Sequence, residues 1–378
     1  MRVLIAPDKF RGTLSARQAA EAIAAGWRRA RSTDDLDVAP MADGGEGTTE
    51  ALVDALGGEL VRVRVHGPLG DPIDARFGTA MSVAGSLAIV ESAAASGLHL
   101  LSASLRDPRR TSSRGTGELI GASLASEPKR CIVGLGGTGT NDGGAGMAQA
   151  LGVRLLDADG EELQAGGAAL LDLARIDASR LDHRIPTVAF VAATDVDNPL
   201  VGPAGASFVY GPQKGASVDD VLLLDRALGH LAAVVQRDLG VDLREEPGAG
   251  AAGGLGFGLM AFLGARVRSG VDVVAEALDL PARVAAAGLV ITGEGRLDAQ
   301  SLRGKAPAGV LRLAREARVP SAVLCGDLEP GTELDGVPVV SLVDRFGRRP
   351  ALEDARRSLE QAAEELAAHA GELSRGAV

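Results

Sequence analysis

The opening stretch MRVLIAPDKFRGTLS, residues 1–15, is the one from which the fold is read. An apolar run over 3–6 ends abruptly in a polar loop of Pro, Asp, Lys, Arg and Gly. From Ser15 onward, Ala19, Ala20, Ile23 and Trp27 recur at the spacing of one helical face. Strand, loop and helix in that order form half of a parallel βα unit, whose sheet must be covered by helices on both faces. The rhythm repeats at 36–39, which leads through PMADGGEGT into a helix from about Thr48. It returns near the carboxyl end with a strand at 289–292, a helix over 307–317, strands at 322–325 and 337–342, and a charged amphipathic helix from Leu352. Between 60 and 91 it breaks, because the alternation LVRVRV and the turn residues of HGPLGDP predict an antiparallel meander with no helix between strands. A chain of 378 residues exceeds one core. The order therefore predicts two α/β domains: a doubly wound parallel sheet from residues 1–75 and 285–378, and an inserted domain with a mixed sheet over 76–284. GAGAAGGLG at 248–256 reads as a tight loop or close helix packing.

Bulk composition narrows the function. The net charge is -11, with no block of five or six like charges, which argues against nucleic acid and against an anionic membrane surface. Any phosphate must then be held locally. Only Cys131 and Cys325 are present, each beside an apolar run, which fits a reducing cytoplasm and excludes a cysteine metal framework. No apolar run reaches 18 residues, and the first is too short for a signal peptide, so a soluble cytoplasmic protein is expected. Oligomeric state is not legible. His66, His99, His183, His230 and His369 are scattered, and no G-x-x-x-x-G-K-[ST], H-E-x-x-H or G-x-S-x-G occurs. Carboxylates, Lys, Arg and backbone N–H groups remain for the chemistry, an inventory suited to phosphoryl transfer.

Four loops follow strands and share one design: APDKFRGTLS (6–15), MADGGEGT (41–48), GGTGTNDGGAG (136–146) and TGEGRLDAQSLRGKAP (292–307). Each joins glycine, which admits a close ligand, to at least one carboxylate. ATDVDNPL (193–200) adds Asp195 and Asp197. With 35 Arg and only four Lys, the lysines in PDKFRG, GPQKG and LRGKAP read either as ammonium groups kept for phosphate or as ordinary surface residues. GLGGTG at 134–139 fits a dinucleotide fingerprint, with Asp157 about 20 residues on. An NAD-dependent dehydrogenase is thus one reading. Against it, Asn141 and Asp142 would face the pyrophosphate, and only a bridging cation such as Mg2+ reconciles that carboxylate with phosphate; Asp142 could also simply cap the next helix. A non-catalytic protein that binds a small acid is a third reading, disfavoured by the density of acids.

Taken together, APDKFRGTLSA, MADGGEGT, GGTGTNDGGAGMAQALG and TGEGRLDAQSLRGKAPAGV resemble the glycerate kinase family from residue 3 to about 310. The resemblance implies a flavodoxin-like domain interrupted by a second α/β domain, with the active site between them. It implies ATP- and Mg2+-dependent phosphorylation of D-glycerate, to 2-phosphoglycerate rather than 3-phosphoglycerate. Arg11 stands where the family usually has Lys, Lys9 where Ser is common and Gly139 where Ala is common. Within this reading Asp8 orients or deprotonates the reacting hydroxyl, and Asp43, also a catalytic residue, binds with Glu46 the substrate or magnesium-bound water. Lys9, Arg11, Glu46, Glu294, Arg296 and Asp298 bind the acid substrate, with Arg11 and Arg296 on its carboxylate. Asp142, Asp195 and Asp197 hold the metal, Asp195 also serving catalysis. Lys214 and Lys305 neutralise ATP phosphates, Lys305 during transfer. Gly136, Gly137, Thr138, Thr140, Asn141, Gly143 and Gly144 cradle the nucleotide.

Overall fold

In the computed structural model, which describes all residues except 11, 299–300, 302–304, 333, 335 and 374–378, the strands follow in chain order. They are β1 (Arg2–Ile5), β2 (Asp35–Val38), β3 (Glu59–His66), β4 (Pro72–Ser82), β5 (Gly85–Glu91), β6 (Arg130–Gly134) and β7 (Arg154–Leu156). Then come β8 (Arg175–Asp177), β9 (Ala189–Ala193), β10 (Arg266–Arg268), β11 (Leu289–Leu297), β12 (Ser321–Leu328) and β13 (Val339–Ser341). The chain divides into two compact units, one of residues 1–43, 50–57 and 269–378, the other of 44–49 and 58–268.

In the first unit, Ser15 Oγ accepts from the Gln18 amide at 3.2 Å and Gln18 Oε1 accepts from the Ser15 amide at 2.9 Å. This reciprocal cap starts the helix Ala16–Ala30, whose buried face of Ala19, Ala20, Ile23 and Trp27 is the one its spacing predicts. Against it packs Ala355–Ala368, so closely that a methyl group on Gly26 would collide with the Glu360 carbonyl oxygen. Helices and sheet share one core, which includes Val3, Ile5, Leu289, Ile291 and Leu324. The strands, all parallel, lie in the order β2-β1-β11-β12-β13. Numbering this unit's strands alone gives 2-1-3-4-5, the flavodoxin-like order, whose direction reverses between β1 and β11. At such a reversal two chain crossovers diverge and leave a crevice beyond the carboxyl ends of the strands.

The second unit carries the mixed sheet β10-β9-β6-β5-β4-β3, parallel from β10 to β5 and antiparallel from β5 to β3. β7 and β8 form a small antiparallel pair of their own. Both boundaries expected from sequence shift. β3 pairs β4 from Glu59 opposite Thr79 to His66 opposite Pro72, and β4 continues onto β5, so residues 58–75 belong to the second unit. Residues 269–284 belong to the first, where Arg283 donates to the Val38 carbonyl at 2.9 Å and Gly309 packs on Val271. The first partnership is the meander expected over 60–91, which the boundary at 75 cut through; the second is not visible to local periodicity. The GAGAAGGLG segment is both a tight turn and close packing: Ala252, Gly253 and Gly254 break Ala251–Leu263 with left-handed backbone, and just beyond them a methyl group on Gly258 would collide with the Gly143 carbonyl oxygen. Among the described residues no helix is long and apolar enough to cross a membrane.

Candidate active site

Asp8 follows β1 and Glu294 lies on β11, so the first unit's sheet sets both carboxylates at its reversal point. The Asp8 amide donates to the Gly293 carbonyl at 2.8 Å and the Met41 amide to the Pro7 carbonyl at 2.8 Å, which draws Asp43 into the same group. Asp8 is 4% exposed, and loss of water together with the charge of Asp43 pushes its pKa to about 7, although the Lys9 amide donates to Oδ1 at 2.7 Å. Burial also raises Glu294, against the pull of the Ser301 hydroxyl and the Lys305 ammonium. Its buried Oε1 finds no hydrogen-bond partner among the described residues. A carboxylate that titrates near neutrality, in a cluster of like charges with a free acceptor, is equipped to take a proton from an incoming hydroxyl.

Two neighbours are less involved. Asp298 Oδ1 accepts from the Ser301 amide at 2.9 Å and from its hydroxyl at 3.1 Å, so that oxygen is engaged within its own loop. Arg296 pairs with Glu329 at 3.1 Å on the exposed surface, rather than with Glu294 or Asp298. Arg11 lies outside the described residues.

In the second unit, the loop after β6 runs from 135 to 144 before the six-residue helix Ala145–Ala150 begins. That helix starts well past Gly139, and Asp157 follows β7 of the small antiparallel pair, so GLGGTG lacks the strand-turn-helix context of a dinucleotide fingerprint. Asp142 is 1% exposed and both its oxygens are occupied. Oδ2 accepts from the Ser113 amide at 2.8 Å, the Ser113 hydroxyl at 2.9 Å and the Gly146 amide at 3.2 Å, and Oδ1 from the Gly144 amide at 3.2 Å. The carboxylate braces the loop instead of standing open to a metal ion, contrary to the expectation from sequence.

Lys214 is buried likewise, its ammonium donating to the Thr140 carbonyl at 2.7 Å and reaching Thr138 Oγ1 at 3.5 Å. Desolvation lowers its pKa to about 7, opposed by Asp142. It too supports the loop from within, so it is not a cation presented to phosphate. By contrast Thr140 Oγ1 and Asn141 Oδ1 are buried oxygens without a partner among the described residues, while Asn141 Nδ2 donates to Ser207 Oγ at 2.9 Å. Asp195 and Asp197 stand exposed after β9, the parallel neighbour of β6.

Two contributors escaped sequence reading. Glu91, ending β5, accepts from the Gly47 amide at 3.2 Å and the Thr49 amide at 2.6 Å and so fixes the 44–49 loop on which exposed Glu46 stands. Ser113 holds Asp142, as given above. Neither belongs to a glycine-acid motif, so only the carboxylate of Glu91 at a strand end could have signalled its role.

Comparisons with known proteins agree with this layout. Residues 3–371 match the model of the glycerate kinase family. The chain is 50% identical over 328 residues to a glycerate kinase of Bacillus subtilis strain 168, covering 87% of this chain and 85% of the relative. It is 48% identical over 328 residues to a glycerate 2-kinase of Escherichia coli K12, covering 87% and 86%. A solved structure of a candidate glycerate kinase 2 from Salmonella typhimurium LT2 superposes with a TM-score of 0.90 at 44% identity, covering 98% of each chain.

Proposed function

The chain belongs to the glycerate kinase family, and on that premise we propose that it transfers the γ-phosphoryl group of ATP to the 2-hydroxyl of D-glycerate, giving 2-phosphoglycerate and ADP. The observation that carries this reading is Asp8, a buried carboxylate with its pKa near 7 where two strand ends diverge. The choice of the 2-hydroxyl is supported by the E. coli relative named a glycerate 2-kinase.

Asp8 takes the hydroxyl proton while that oxygen bonds to the γ-phosphorus and the bond to the β,γ-bridging oxygen breaks, so that ADP leaves with the electron pair. Asp43 and Glu294 keep Asp8 basic enough for this at neutral pH by opposing its ionisation. Lys9, Arg11 and Lys305 supply positive charge for the acid group of glycerate and for the transferred phosphoryl group. The 136–144 loop, stiffened by Asp142 and Lys214, is the element suited to lie along the phosphates.

Oxygen donors suit a hard cation, and the exposed carboxylates of Asp195 and Asp197, with Asn141 Oδ1, which has no partner among the described residues, are the groups that would hold Mg2+. Magnesium, when bound, would neutralise charge on the β- and γ-phosphates.

The test is direct. Incubated with ATP, Mg2+ and D-glycerate, the protein is expected to release ADP only when all three are present, and enolase alone is expected to consume the product. A product that enolase uses only after a mutase is added moves the transfer to the 3-hydroxyl; absence of ADP ends the reading.

A further inference from the structure

Segment 96–111 wraps the glycine loop. The Leu98 amide donates to the Gly137 carbonyl at 2.8 Å, the Gly139 amide to the Ser96 carbonyl at 2.8 Å, and Thr111 Oγ1 to the Gly139 carbonyl at 2.8 Å. Arg106 lies in this segment, its backbone against Gly215, where a methyl group would stand 2.9 Å from Arg106 Cβ and collide with the Arg106 carbonyl oxygen. Gly215 in turn follows Lys214, whose ammonium is tied to Thr140.

Arg106 is unusual in this chain. Among the described residues it is the one arginine with a buried nitrogen, Nε, that has no hydrogen-bond acceptor, and it makes no ion pair. The nearby acids are engaged elsewhere: Asp107 accepts from Arg109 at 2.8 Å and 2.9 Å, and Asp220 pairs with Arg109 at 3.1 Å. A buried guanidinium N–H left without an acceptor costs free energy that a ligand oxygen can recover. Lys214, meanwhile, is committed to the loop from within, so it is not the cation that meets a phosphate on the loop's outer side.

We propose that Arg106 binds the polyphosphate chain of the nucleotide beside the glycine loop, a contact that rests on the kinase reading above. The planar fork of guanidinium suits the paired oxygens of a phosphate better than a point charge does.

The experiment uses full-length Arg106→Ala and Arg106→Lys, with calorimetric titration by ADP, adenosine and inorganic tripolyphosphate, and steady-state KM values for ATP and D-glycerate. Arg106→Ala is expected to weaken ADP and tripolyphosphate about tenfold or more and to raise the KM for ATP alike, while adenosine binding and the KM for D-glycerate stay within about twofold. Arg106→Lys is expected to recover only part of the loss. Unchanged ADP and tripolyphosphate binding, tripolyphosphate that fails to bind the unmodified chain, or a loss confined to D-glycerate or 2-phosphoglycerate would overturn the proposal. Should the alanine variant not fold, Arg106→Gln carries the same comparison. ATP-dependent turnover of D-glycerate by the unmodified chain separates the two readings: its absence defeats the kinase assignment, whereas its presence with normal ADP binding by Arg106→Ala defeats this contact alone.

Discussion

The ionisation of Asp8 is opposed twice, by loss of water and by the charge of Asp43, which lifts it from 3.8 to about 7. Between those two values the folded chain holds a proton that the unfolded chain has released. The stability associated with this group is therefore full below the lower value and is lost as pH rises through the upper one. Asp8→Asn removes the titration. The variant is expected to gain up to about 4 kcal/mol of stability over the native chain at pH 8 and nothing near pH 4, read from urea denaturation at both pH values. The same substitution should lower kcat by about 10²- to 10⁴-fold. Burial raises the pKa of Asp142 as well, but this carboxylate satisfies four buried donors, so its removal has the opposite effect on stability. Asp142→Ala leaves them without a partner and is expected to cost about 3–5 kcal/mol, so activity is lost through unfolding, and a native urea midpoint would refute the bracing role.

Among the elements, the glycine loop and the helix Ala251–Leu263 interlock. A methyl group on Gly253 would collide with the Thr140 carbonyl oxygen and stand 2.9 Å from Lys214 Nζ, and the residue has φ +71. Gly253→Ala is expected to destabilise the protein by about 2–4 kcal/mol and to weaken ATP more than D-glycerate, as thermal melting and the two KM values would show. The loops themselves were legible, because glycine and a carboxylate directly after an apolar run mark a strand end under functional demand. The partners of those loops were not. Ser113, Glu91 and Arg106 reach them through tertiary packing from segments with no motif, and the burial that turns Lys214 inward depends on Gly253, 39 residues away in sequence. Periodicity overextended one element: Ser341, accepting from the Asp344 amide at 3.2 Å, ends β13 and starts the helix Leu342–Phe346 inside the expected strand.

For the whole molecule, the βα rhythm at both chain ends was enough to place them in one sheet, and the meander in the middle was enough to separate a second. The first limit of the insertion was misplaced because a boundary at 75 cuts one continuous meander, in which β3 pairs β4 and β4 pairs β5. A first unit closed by its last helix makes a further demand. Deleting residues 354–378 removes the helix that packs on Ala16–Ala30, so the fully buried Trp27, the sole tryptophan, is expected to shift its emission to the red, whereas unchanged emission would show that this packing is dispensable. In the proposed mechanism, finally, catalysis rests on one proton acceptor, Asp8. The most direct measurement is kcat/KM for D-glycerate against pH at saturating ATP, in the unmodified chain and in Asp8→Asn. The unmodified chain should gain about tenfold per pH unit and level off near 7, with the variant low and flat across that range. An Asp8→Asn enzyme that keeps the same break, or the native rate, contradicts the assignment.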